Sequence, residues 1–193
     1  ARFVEPKDGP AARQVYLDRA AGLRAALDEM WRDGRYVRAI MDSGEEMVSA
    51  NAPNVAWPVL SGAADFERGT RCLEQGLEDL EREDLVLLLS PPFTEESNPY
   101  PGRLADYPPG VRENGGQYSH GASWLVDALV RLSEGARAAG DPDGEERHIA
   151  AAVRVWRKIS PLAHMAPEVI GRFGLPPHQQ PADIYFGYGC EGR

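Results

Sequence analysis

Apolar residues recur at helical spacing in several stretches of the chain, with turn chemistry between them. From Ala11 to about Trp31, Tyr16, Ala20, Leu23, Leu27 and Met30 fall at steps of four and three, one stripe on a helix with charged residues opposite. Asp33-Gly34 is expected to end that helix, since both residues tolerate a left-handed backbone. Arg35 to Ile40 reads as a short strand or extended arm, followed by a turn at Asp42-Ser-Gly-Glu45. The pattern is helical again from Val55, with Pro58 expected in the first turn. Asp65 is a predicted N-cap for a helix carrying Phe66, Leu73, Leu77 and Leu80, whose acids Glu74, Glu78, Asp79 and Glu81 read as a solvated face.

Leu85 to Leu89 is a buried apolar run stopped by Ser90-Pro-Pro92. Prolines 91, 92, 99, 101, 108 and 109 then forbid a long helix or a central strand. Long proline-rich loops within compact domains are usually functional or disordered, and this one leads straight into the segment Tyr107–Trp124. Past it, Trp124, Leu125, Ala128, Leu129 and Leu132 predict a helix over 119–139. A surface turn at Gly140-Asp-Pro-Asp-Gly144 and a helix to Ile159 follow, with Ile149, Val153 and Trp156 on one face and Pro161 as the stop. Residues 173–193 read as irregular chain. Strand signals are few and short, so the class is mainly α. The plan of helix, long loop and helix recurs as in a toroid of helical hairpins.

With 193 residues the chain suits one domain, residues 1–193, and 42% hydrophobic with 26% charged residues is an ordinary globular balance. The net charge of −9 argues against a nucleic-acid surface. No apolar run approaches the roughly 20 residues of a membrane-spanning helix. Cys72 and Cys190 form neither a disulfide framework nor a zinc motif, and the four histidines lack ligand spacing, so no metal and no organic cofactor is expected. A reducing compartment, the cytoplasm, is the expected location.

Candidate chemistry concentrates in Tyr107–Trp124. Glu113 can accept from vicinal sugar hydroxyls, and Arg112 can donate to hydroxyl or phosphate oxygens. Asn114-Gly115-Gly116 offers backbone N–H groups to a closely approaching ligand. His120, beside a helix N-terminus, can hold an anion. The same residues also occur as surface charges, a turn and an internally satisfied imidazole, and taken alone they leave both readings open. Tyr107, Tyr118, Tyr185 and Tyr188 lie in loop-like segments suited to sugar contact, whereas Trp31, Trp57, Trp124 and Trp156 read as core.

This segment resembles the signature of glycoside hydrolase family 94, the inverting β-glucoside phosphorylases. Supporting stretches are Trp31-Arg-Asp-Gly-Arg-Tyr-Val-Arg-Ala39, Trp57-Pro-Val-Leu-Ser-Gly-Ala63 and Leu89-Ser-Pro-Pro-Phe93. The tail, Gly174 to Phe186 with Glu191-Gly-Arg193, is similar to the phosphorylase-like region of cyclic β-1,2-glucan synthases. The resemblance implies about half of an (α/α)6 toroid, its C-terminal portion, with long Pro/Gly-rich loops. It implies β-glucan or β-glucoside and inorganic phosphate as substrates. Arg112, Glu113, Asn114 and Gln180 would then serve the sugar, and His120 the phosphate. The family's acidic Asp motif and its Gly-Gly-Trp phosphate stretch do not occur in these 193 residues. No catalytic residue is therefore assigned, the chain alone is expected to be inactive, and its longer parent is expected at the inner membrane. Uncovered helix faces are expected to drive self-association or to pack against the rest of the barrel. A non-catalytic carbohydrate-binding module and a plain helical interaction domain are the alternatives.

Overall fold

A computed structural model describes residues 9–162, Pro167 and the strand Ile184–Tyr185. Helix α1 spans Gly9–Glu29 and stands largely exposed; its stripe residues Tyr16 and Leu23 face outward. Asp33-Gly34 does not cap it. Both residues have positive φ and form the two-residue turn of a hairpin between β1, Trp31–Arg32, and β2, Arg35–Tyr36. A second hairpin pairs β3, Ala39–Ile40, with β4, Glu46–Met47, around Gly44 in the left-handed region.

Helix α2, Ala52–Leu60, starts earlier than its apolar pattern. Asn51 and Asn54 form a reciprocal capping box, with Asn54 N donating to Asn51 Oδ1 at 2.9 Å and Asn51 N to Asn54 Oδ1 at 2.8 Å. Pro53 takes the first turn, so Pro58 sits inside the helix, contrary to the expectation. Proline there removes the N–H that would reach the Asn54 carbonyl. The Cys72 thiol donates to that oxygen at 3.8 Å instead.

Helix α3, Phe66–Leu80, begins at the predicted cap, where Asp65 Oδ1 accepts from Arg68 N at 2.8 Å. Its acids are not a bare solvated face. Glu74 pairs with Arg147 at 3.4 Å and Asp79 with Arg35 at 2.6 Å, and Glu81 pairs with Arg154 and with Lys158, both at 2.7 Å. Leu85, Val86, Leu87 and Leu89 of the apolar run are buried, and its end, β6 Leu89–Ser90, pairs with β5 Ala50–Asn51.

Helix α4, Ser119–Ala139, ends on Gly140 in the left-handed conformation, and α5, Pro142–Ile159, begins at once with Asp141 as N-cap. The expected five-residue turn is therefore much shorter, and α4 and α5 form a tight antiparallel hairpin. Helix α5 buries His148, Ala151, Ala152, Val155 and Ile159, leaving the Ile149–Val153–Trp156 face outside. The main core joins α2 to α5 with Leu85, Val86 and Leu87.

The N-termini of α2 and α4 meet at one end. Ala52 N donates to the Leu88 carbonyl at 3.0 Å, and Leu88 N donates to the Gly116 carbonyl at 2.7 Å. A Cβ at Gly121 would come within 2.9 Å of the Leu88 Cδ1, so the glycine leaves room for the Leu88 side chain against α4. Two helical hairpins, α2–α3 and α4–α5, thus stand side by side with their long loops at the same end, as in part of a helical toroid. Among the described residues no helix is long and apolar enough to cross a membrane.

Candidate functional site

The loop before α4 is held by two buried amides. Asn114 is fully buried; its Oδ1 accepts from Phe93 N at 2.7 Å, while its Nδ2 donates to the carbonyls of Phe93 at 2.8 Å and Tyr107 at 2.7 Å. Gln117, also fully buried, accepts from Val86 N at 2.7 Å. Its own strand, β7 Gln117–Tyr118, pairs with β8 Ile184–Tyr185. Backbone groups that cannot find a ladder partner are satisfied by side chains.

This geometry changes one assignment. The Asn114 side chain is a tie between loops and presents no surface to a ligand. The Asn114 and Gly116 N–H groups are likewise taken, by the carbonyls of Val111 at 3.0 Å and Arg112 at 2.9 Å. The bend does not offer these donors outward. It positions what flanks it.

Arg112 and Glu113 stand on the bend. Arg112 has φ 50°, a left-handed backbone that costs a non-glycine residue roughly 1–3 kcal/mol. Its guanidinium lies over the Tyr107 ring, 5.0 Å from the centroid, and its Nε is 3.6 Å from Glu113 Oε2. Glu113 Oε1 accepts from the Tyr118 hydroxyl at 2.9 Å. Burial alone would raise the Glu113 carboxyl. Its own backbone N–H, the Tyr118 hydroxyl and the Arg112 charge outweigh that, and hold it below the usual carboxylate value.

His120 is the second residue of α4 and is exposed, with its ring 5.5 Å from the Tyr118 ring and 5.1 Å from Trp124, the latter edge-to-face. Trp124 in turn meets Trp57 of α2 at 5.5 Å. Among the described residues no side chain caps α4, so its first-turn N–H groups and dipole lie beside His120. Arg112, Glu113, Tyr118, His120, Trp124 and Trp57 thus form one continuous row at the loop end.

The structure brings together Arg112, Glu113 and His120, and adds Tyr118 between them. Gln180 lies outside the described residues. The sequence reads the indoles as core, yet Trp57 is 47% and Trp156 59% exposed, and Trp31 belongs to a strand rather than a helix. One signal for the row was available: residues four apart on a helix share a face, which puts Trp124 beside His120. Trp57 could be found only from the packing of α2 on α4.

A cleft of about 710 Å³ lies between α3 and α5, away from this row. The ion pairs of Glu74 and Glu81 cross it, which makes it a seam between helices. Among the described residues no group of three His, Cys, Asp or Glu could hold a metal ion.

A mainly helical domain that carries a carboxylate, a guanidinium and an imidazole on its loop end is the class these observations define. The chain belongs to the Glycosyl hydrolase 94 superfamily, whose catalytic-domain profile matches residues 1–141. It is 32% identical, over its full length, to the cyclic beta-(1,2)-glucan synthase NdvB of Rhizobium meliloti, of which it spans 7%. It is 34% identical to a solabiose phosphorylase of Paenibacillus borealis, with 63% of this chain and 17% of the relative aligned. An N,N'-diacetylchitobiose phosphorylase of Vibrio proteolyticus is 29% identical over 64% of the chain and 17% of its own length. The chain therefore spans a small part of the curated relatives it matches.

Proposed function

We propose that the protein carrying this chain transfers a glucosyl group between a β-glucoside and inorganic phosphate with inversion, β-1,2-glucan being the favoured glucoside. The chain supplies contacts to the acceptor-side sugar through Glu113 and Arg112, and to phosphate through His120 and the start of α4. The carrying observation is that Glu113 and His120 share one neighbour, Tyr118. A carboxylate kept ionised and oriented can accept from two hydroxyls of a sugar. The imidazole and the helix N-terminus favour the anion alongside it. Phosphate oxygen then forms a bond to the anomeric carbon as the glycosidic C–O bond breaks, and the leaving oxygen takes a proton from an acid. None of the described residues is assigned that proton. Among the three relatives, the synthase named for beta-(1,2)-glucan is the one that aligns along the whole chain, and this favours the β-1,2 linkage.

The test is glucose 1-phosphate release from β-1,2-glucan by the full-length protein, with binding of glucan and phosphate by the 193-residue chain measured by calorimetry. Binding without turnover is the expected behaviour of the chain alone. Glu113→Ala and His120→Ala should each weaken their own ligand by about 1.5–3 kcal/mol, the worth of a charge-assisted hydrogen bond. Unchanged affinity in both variants would refute the site.

A further inference from the structure

Glu113 and His120 sit on different elements, a bend and a helix, and neither touches the other directly. Tyr118 touches both. Its side chain is buried, its hydroxyl donates to Glu113 Oε1 at 2.9 Å, and its ring lies 5.5 Å from the His120 ring at a tilt of 31°. Trp124 also meets the imidazole, edge-on at 5.1 Å, so His120 contacts two rings. The Tyr118 backbone is fixed on one side by its pairing with Ile184 in β8, and on the other by α4, which starts at the next residue. The preceding residue, Gln117, is anchored to Val86. Burial, followed by the hydrogen bond to Glu113, raises the Tyr118 hydroxyl above its ordinary value, so it remains a donor across the neutral range.

We propose that Tyr118 is a positioning residue that couples the sugar-binding carboxylate of Glu113 to the anion-binding imidazole of His120 and sets the spacing between the two ligands. This rests on the reading of Glu113 and His120 given above. The phenol does so by two separable contacts, one through its hydroxyl and one through its ring face. A rigid spacer of this kind matters because a displacement of about 1 Å between reacting groups can cost on the order of a hundredfold in rate.

The two contacts can be removed one at a time in the full-length protein. Tyr118→Phe keeps the ring and deletes the hydroxyl. It should raise KM for the glucoside about tenfold and leave KM for phosphate unchanged. It should also move the acid limb of the glucoside pH profile upward, because a carboxylate that loses a donor to its charged form is easier to protonate. Tyr118→Leu deletes both contacts, and should additionally raise KM for phosphate and lower kcat. Should Tyr118→Leu fail to fold, the Tyr118→Phe/Glu113→Gln pair replaces it: the two changes should be non-additive, since the hydroxyl acts only through that carboxylate. An acid limb that stays in place in Tyr118→Phe, or additive effects in the double variant, would overturn the coupling. Glu113→Gln and His120→Ala measured alone keep the two readings apart. If neither alters the kinetics, the site itself is wrong; if both do and Tyr118→Phe does not, only the coupling fails.

Discussion

Asn114 and Glu113 are sequence neighbours with opposite fates. The amide is spent on three backbone groups, while the carboxylate accepts from the Tyr118 hydroxyl and lies beside the Arg112 guanidinium. Asn114→Ala would strand the Phe93 N–H and two carbonyls in the interior, each at roughly 1–3 kcal/mol when buried without a partner. Denaturant melts should therefore show a loss of at least about 2 kcal/mol. His148 gives a pH prediction. It is 2% exposed, packs edge-on to Phe66, and neither ring nitrogen meets a hydrogen-bond partner among the described residues. Burial, then the Arg147 charge, lowers its pKa, while Glu74 and Asp141 pull weakly the other way. A group lowered in the folded state binds its proton preferentially when unfolded. Stability should hold above the unfolded histidine value of about 6.5 and fall as the pH drops below it. Melting temperatures from pH 8 to 5 would show this, and His148→Leu should flatten the dependence. At this scale sequence could name the residue types but not which atoms are spent, because burial depends on distant chain.

At the scale of elements, local chemistry was legible where local forces decide. Asp65 caps α3, α4 runs over the predicted residues, and α5 stops before Pro161, all consequences of backbone bonds reaching only a few positions away. The place of Pro58 is not legible locally, because its cost depends on what meets the orphaned Asn54 carbonyl, and that partner, Cys72, comes from the next helix. Two glycines illustrate the division. A side chain at Gly76 would run into the Val55 methyls where α3 crosses α2, whereas Gly22 on α1 has open space around it. Gly76→Ala should destabilise by about 1–3 kcal/mol through overpacking. Gly22→Ala should stabilise by up to about 1 kcal/mol through helix propensity. Thermal unfolding of the two variants checks both signs.

At the scale of the whole molecule, two apolar stripes remain uncovered. On α1 they include Tyr16 at 56% and Leu23 at 68% exposure; on α5, Ile149, Val153 and Trp156. A toroid gives each helix neighbours on both sides, and these faces lack one among the described residues. Contiguous exposed apolar surface favours association. The isolated 193-residue chain should sediment as a dimer or larger species whose population rises with concentration, and Trp156→Glu should shift it towards monomer. A concentration-independent monomer would contradict this.

The order of residues determined the helical periods, the Asp65 cap and the proline-rich approach, which follow from short-range sterics and hydrogen bonding, and it placed Arg112, Glu113 and His120 within nine positions. Only the folded chain decided that Asn114 turns inward, that Tyr118 stands between carboxylate and imidazole, and that Trp57 joins the row from another helix. Those outcomes depend on which surfaces meet across long separations, and contacts of that range are set by packing the whole core at once.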